Sequence, residues 1–254
     1  MTIKQTALNQ NILYGLYGIS DTKLTPKHKI FDFLQEAIDG GMRIFQYRDK
    51  DSKDSEIIGL VSELQDFCAK KDVLFVLNDR YELAIKLGVD GLHLGQDELG
   101  DFITIRKAFS GIIGVSCYND ISSALKYEKM GVDYVAFGAF FSSPTKPQAN
   151  LCPLKILEHA KEKIHIPICC IGGISPENAN LLRQSDMIAV ISSLWNKQDS
   201  YIESCRDSHT RIDIVSKQDI FDTNREKKEQ EEDLKSLWYV CMNARLLLQK
   251  WQDY

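Results

Sequence analysis

Ile44-Phe45-Gln46-Tyr47-Arg48-Asp49-Lys50 is a short apolar strand that runs into charge, and its reading decides the fold. A strand turns successive side chains to opposite faces, so Gln46, Arg48 and Lys50 share one face while Phe45 and Tyr47 share the other. The first face collects an amide and two cations. An arginine fork grips phosphate oxygens bidentately and a lysine adds a point charge, a pairing suited to a diphosphate. The plainer alternative is an exposed salt-bridge set with Asp49 and Asp51.

Outward from this stretch the same design repeats. Short runs rich in β-branched or aromatic residues fall at Tyr14–Ile19, Ile44–Tyr47, Val73–Leu77, Gly91–Leu94, Ile112–Val115, Tyr134–Phe137, Ile168–Ile171 and Met187–Ile191. Segments of helical period separate them, such as Lys29–Asp39, Asp54–Lys70, Tyr81–Leu87 and Ile121–Lys129. Gly40, Gly88 and Gly131 stand where left-handed helix ends are expected. Eight βα units predict a closed (β/α)8 TIM barrel, whereas an open doubly wound sheet would carry a glycine fingerprint after its first strand, and none is present.

The expected division is a catalytic barrel over residues 1–195 and a C-terminal extension over 196–254. The extension begins polar, passes through the charge run Arg225–Asp233, and ends in a helical stripe of Leu234, Leu237, Cys241, Ala244, Leu248 and Trp251. That stripe is expected to pack on the barrel as a final helix; the alternative is a contact with a second copy in a homo-oligomer. At 254 residues, with 44% apolar and 26% charged residues, the chain is long enough for a full core. A net charge of -5 argues against nucleic acid as a partner. Seven scattered cysteines without a CxxC pair suit a reducing, cytoplasmic setting, and no apolar stretch approaches a membrane span.

Reacting groups in such barrels gather where strands end, and here polar residues gather at those places. Strand three ends in Asn78-Asp79, and strand four runs into His93-Leu94-Gly95-Gln96-Asp97-Glu98. Asp79 with Glu98 or Asp97 would give Mg²⁺ the hard oxygen ligands it prefers beside a diphosphate. Against that, Asn78 or Asp79 could cap the helix that follows. His93 reads as a packed, hydrogen-bonded histidine. Ser116 follows strand five, and the loop after strand six offers Ser143, Thr145 and Lys146 to an anion. Gly172-Gly173 after strand seven, ahead of a helix opening at Ser175-Pro176, and Ile191, Ser192 and Ser193 at the end of strand eight offer a second anion cup, the alternative being glycines needed only for a turn.

Taken in order, Gln46-x-Arg48-x-Lys50, Asn78-Asp79, His93-Leu94-Gly95-Gln96, Gly114-Val115-Ser116-Cys117-Tyr118-Asn119, Thr145-Lys146, Ile171-Gly172-Gly173-Ile174 and Val190-Ile191-Ser192 resemble the thiamine phosphate synthase family. The resemblance covers residues 12 to 195. It implies a condensation of hydroxymethylpyrimidine diphosphate with thiazole phosphate that gives thiamine phosphate and pyrophosphate, with Mg²⁺. It also implies that Gln46, Arg48, Lys50 and Asn78 hold the pyrimidine diphosphate, that Ser116 and Lys146 contact it with Thr145 and Ser143 nearby, and that Asp79 and Glu98 hold the metal. Gly173, Ile191 and Ser192 would cradle the thiazole phosphate, and Arg48, Lys50, Ser116 and Lys146 would be the catalytic set. The order Asp97-Glu98 inverts the family's usual Glu-Asp. Ala139, where the related thiazole tautomerase branch has a histidine, sets that branch aside.

Overall fold

A computed structural model describes residues 12–100, 102–143, 148, 150–197 and 226–252, with side chains of the last segment described from Trp238 onward. Eight parallel strands close into a barrel in sequence order. They are β1 (Gly15–Ile19), β2 (Ile44–Tyr47), β3 (Leu74–Asn78), β4 (Gly91–Leu94), β5 (Ile112–Tyr118), β6 (Tyr134–Phe137), β7 (Ile168–Ile171) and β8 (Met187–Val190). The expected number and order hold; β2, β4, β6 and β7 have the expected bounds, and the ends of β1, β3, β5 and β8 differ by one to three residues. Ile191, expected inside strand eight, stands just outside it and precedes a short helix.

The helices are α1 (Ile30–Asp39), α2 (Asp54–Ala69), α3 (Tyr81–Leu87), α4 (Phe102–Ala108), α5 (Ile121–Lys129), α6 (Lys155–Lys163), α7 (Ser192–Trp195) and α8 (Glu226–Gln252). The helix expected to open at Ser175-Pro176 is absent: only a 3-10 turn, Ala179–Leu182, lies between β7 and β8. Two side chains account for this. Asn178 bonds the Ser175 amide and the Gly173 carbonyl, folding the segment back on itself, and Trp251 Nε1 donates to the Leu182 carbonyl at 3.1 Å. α8 therefore covers the side of the barrel that a seventh crossover helix would share.

Period-two alternation sorts the side chains into two cores. Tyr17, Ile44, Leu74, Val76, Ile112, Tyr134, Cys169 and Met187 fill the barrel interior, whereas Leu16, Phe45, Phe75, Leu92, Val135 and Cys170 face the helices. The register keeps inward residues beside one another, pairing Ile19 with Gln46, Asn78 with His93, and Ser116 with Ala136. Gly114 makes room for one inward ring, since a Cβ there would collide with Tyr134.

α8 belongs to the outer core, as the stripe predicts, but its buried face is Val240, Ala244, Leu247 and Trp251, with Cys241 and Leu248 beside it. The side chains of Leu234 and Leu237 lie outside the described ones. Gly40 is not left-handed (φ -78°); the left-handed residue is Gly41 (φ 104°). Gly40 serves close approach instead, because a Cβ there would strike the Ala244 side chain and the Cys241 carbonyl of α8. Gly88 and Gly131 do adopt left-handed backbone. No helix among the described residues is long and apolar enough to cross a membrane.

Candidate active site

A cavity of about 1460 Å³ opens at the carboxyl ends of the strands. Gln46, Arg48, Lys50, Asn78, Asp79, Glu98, Ser116, Ser143, Gly173, Ile191 and Ser192 all line it. Thr145 and Lys146 lie outside the described residues.

The β2 end is built to hold its cations still. The Ser20 hydroxyl accepts from the Arg48 amide at 2.8 Å and donates to the Arg48 carbonyl at 3.3 Å, continuing the β1–β2 pairing past its last rung. Asp49 points away from the cavity, and its side chain is 1% exposed. Its carboxylate accepts from the amides of Asp51 and Ser52, both at 3.0 Å, and pairs with Lys27 at 3.1 Å. Burial alone would push this carboxyl up, but the bonds from Ser52, Lys27 and Asp51 outweigh it and hold the carboxyl well below its ordinary range. Arg80 clamps the same turn by donating to the carbonyls of Asp49 and Ser52. The alternative salt-bridge set is thus overturned, since Asp49 serves the turn and, among the described residues, no carboxylate pairs with the Arg48 guanidinium.

Asn78 and Asp79 do not cap α3. Arg80 takes that position without a side-chain cap, because Asp79 is left-handed (φ 65°) and swings its carboxylate over the cavity. Asp79 accepts from Asn78 Nδ2 at 2.6 Å and from the Gly95 amide at 3.1 Å. Lys50 Nζ stands 3.3 Å from Asp79 and 3.8 Å from Glu98, so a cation already sits between these two carboxylates. A Cβ on Gly95 would intrude on the Glu98 carboxylate, which shows how closely that side chain folds back toward Asp79. Two hard-oxygen groups at neighbouring strand ends, gathered around positive charge, fit a divalent ion that completes its shell with water and phosphate. Among the described residues no cluster of three or more potential ligands offers a full protein cage.

Across the floor runs a file of hydrogen bonds. Gln46 Nε2 donates to the Tyr17 hydroxyl at 2.7 Å, that hydroxyl meets the Tyr134 hydroxyl at 2.9 Å, and Tyr134 meets His93 Nδ1 at 2.9 Å. His93 Nε2 then meets Ser116 Oγ at 2.9 Å. Burial pushes the imidazole down to about 4 despite the pull of Asp79, so His93 is neutral at pH 7. Burial likewise raises both tyrosines and keeps them protonated. The expectation of a packed, hydrogen-bonded His93 holds, whereas Tyr17 and Tyr134 were not anticipated as site residues. Their signal was present in the alternation: Tyr17 shares the inward face of β1 with Ile19, and Tyr134 faces the gap left by Gly114.

The opposite rim relies on backbone. Gly172 and Gly173 are left-handed (φ 101° and 62°), and their carbonyls are taken by the Phe141 amide and Asn178 Nδ2. Ser192 opens α7, whose first amides have no partner within the helix. Asn243 of α8 donates to the carbonyls of Leu194 and Asn196 at 3.1 and 3.0 Å, securing the far end of this rim.

A closed barrel with cations and carboxylates on one rim and a glycine-amide cup on the other defines a phosphate-handling enzyme of the (β/α)8 class. The family model described as thiamine monophosphate synthase matches residues 16–194. A thiamine-phosphate synthase of Wolinella succinogenes is 44% identical over 209 residues, covering 79% of this chain and 98% of the relative. One from Nitrosococcus oceani is 38% identical over 189 residues, covering 73% and 87%. The solved thiamine phosphate pyrophosphorylase from Pyrococcus furiosus is similar with a TM-score of 0.69 and 25% identity, covering 94% of this chain and all of the other. The chain belongs to the thiamine monophosphate synthase family and is a transferase of that type.

Proposed function

We propose that the cavity joins hydroxymethylpyrimidine diphosphate to thiazole phosphate, and that the two rims divide the substrates between them. The observation that carries this reading is the meeting, in one cavity, of the Arg48–Lys50 clamp with the Gly173–Ser192 cup. Arg48, Lys50, Ser116, Asn78 and Gln46 hold the pyrimidine diphosphate, and Ser143, Thr145 and Lys146, which follow β6 in the sequence, contact it. Gly173, Ile191 and Ser192 hold the thiazole phosphate.

In the reaction the bond between the pyrimidine methylene carbon and the diphosphate oxygen breaks, and its electron pair leaves with pyrophosphate. The thiazole nitrogen supplies the pair for the new bond to that carbon. No protein nucleophile is needed; the chain contributes positioning and charges aimed at the departing group. Asp79 and Glu98 would hold Mg²⁺, which when bound neutralises charge on the diphosphate. The six described cysteines, Cys68, Cys117, Cys152, Cys169, Cys170 and Cys241, are free and buried, which supports a cytoplasmic setting. Incubation with both substrates and Mg²⁺ should release pyrophosphate in step with thiamine phosphate. No release, together with tight binding of thiazole phosphate, would overturn the reading in favour of a tautomerase or a binding protein.

A further inference from the structure

The hydrogen-bonded file on the cavity floor has a direction, and the direction has a consequence at both ends. A hydroxyl has one proton and two lone pairs, and a buried one held between two partners satisfies that proton only by accepting from one and donating to the other. Gln46 Nε2 donates to the Tyr17 oxygen, so the Tyr17 proton must go to Tyr134. Tyr134, accepting from Tyr17, satisfies its own buried proton at His93 Nδ1. A neutral imidazole that accepts at Nδ1 carries its proton on Nε2, and that proton goes to Ser116 Oγ. The Ser116 proton is then left for the cavity, while Gln46 keeps its carbonyl Oε1 for a ligand.

We propose that Tyr17, Tyr134 and His93 are positioning residues that lock this polarity, presenting Ser116 as a donor and Gln46 as an acceptor. This rests on the synthase reading, and it explains how one substrate is oriented. An aminopyrimidine diphosphate carries donors on its amino group and acceptors on its phosphates. The locked file offers Gln46 Oε1 to the first and the Ser116 hydroxyl to the second. The reversed file would turn an amide NH₂ toward the amino group and a serine lone pair toward phosphate oxygens, two mismatches at once. The three residues span β1, β6 and β4, and each is at most 8% exposed, so the polarity is fixed by the barrel and not by solvent.

Two measurements test this on the full-length chain. Nitrogen-15 NMR of histidine-labelled protein, with the His93 signal assigned by its loss in His93→Gln, should show the tautomer protonated at Nε2. Protonation at Nδ1 would overturn the proposal. In steady-state assays Tyr134→Phe, which removes only the hydroxyl, should lower kcat/KM for the pyrimidine diphosphate about ten-fold and leave the KM for thiazole phosphate unchanged. In a Ser116→Ala background the same substitution should cost less than about two-fold, because its effect acts through Ser116. Additive losses would show that the Tyr134 hydroxyl merely supports the barrel, and would overturn it. Wild-type protein that released no pyrophosphate would bring down the synthase reading, and with it the assignment of ligands to the two ends; the tautomer would still decide the polarity.

Discussion

In the proposed reaction the two rims of the cavity recognise anions by different means. From β2 to β5 recognition rests on side chains, the cations Arg48 and Lys50 with Asp79 and Glu98 as holders of a metal ion, on turns that are themselves hydrogen-bonded. From β7 to α7 it rests on main-chain conformation, where two glycines and a helix start bring amides to the surface. A charged side chain can be removed without disturbing the strand beneath it. A left-handed glycine cannot be replaced without disturbing the chain.

This difference ranks the expected effects of substitution. Arg48→Ala should lower kcat by on the order of 100-fold with the thermal midpoint unchanged, because the guanidinium serves the cavity and not the core. A wild-type rate would remove the clamp from the account. Gly173→Ala should act on both function and fold, since its Cβ would meet the carbonyls of Phe141 and Ser142 at a backbone of φ 62°. A stability loss of about 1–3 kcal/mol is expected by denaturant titration, with a KM for thiazole phosphate raised about ten-fold.

Asp49→Asn probes the support beneath the charged rim. It should cost about 2 kcal/mol at neutral pH, where the carboxylate collects bonds from Ser52, Lys27 and Asp51. The folded-state carboxyl is held below its ordinary 3.8, so its contribution is complete above that pH and is lost as pH falls beneath it. The stability gap between variant and wild type should therefore narrow in acid; a gap independent of pH down to the acid limit would show that charge plays no part in the turn. Ser192→Ala should have the smallest effect, under about five-fold in the KM for thiazole phosphate, because the amide remains when the hydroxyl is gone. A loss as large as that of Arg48→Ala would erase the distinction between the rims.

The same distinction explains what could be read in the sequence. The barrel was legible because inward and outward residues alternate in every strand, and Gln46-x-Arg48-x-Lys50 was legible because the clamp is local to one strand. The glycine rim was visible as Gly172-Gly173, yet the segment after it was misread as a helix: Pro176 is a common helix opener, and the Asn178 bonds that fold the segment back leave no mark in periodicity. The floor was the least legible part. Tyr17 and Tyr134 are 117 positions apart and meet only because the barrel closes. In α8 the spacing revealed a helix, while its buried face turned to include Val240 and Leu247, which depends on the surface offered by Gly40.

The most direct test of a site divided between two substrates is the KM of each substrate in Arg48→Ala and in Gly173→Ala, from pyrophosphate release with Mg²⁺ present. The account predicts a crossed pattern: Arg48→Ala raises the KM for the pyrimidine diphosphate alone, and Gly173→Ala raises the KM for thiazole phosphate alone. Equal shifts of both constants in both variants would contradict it.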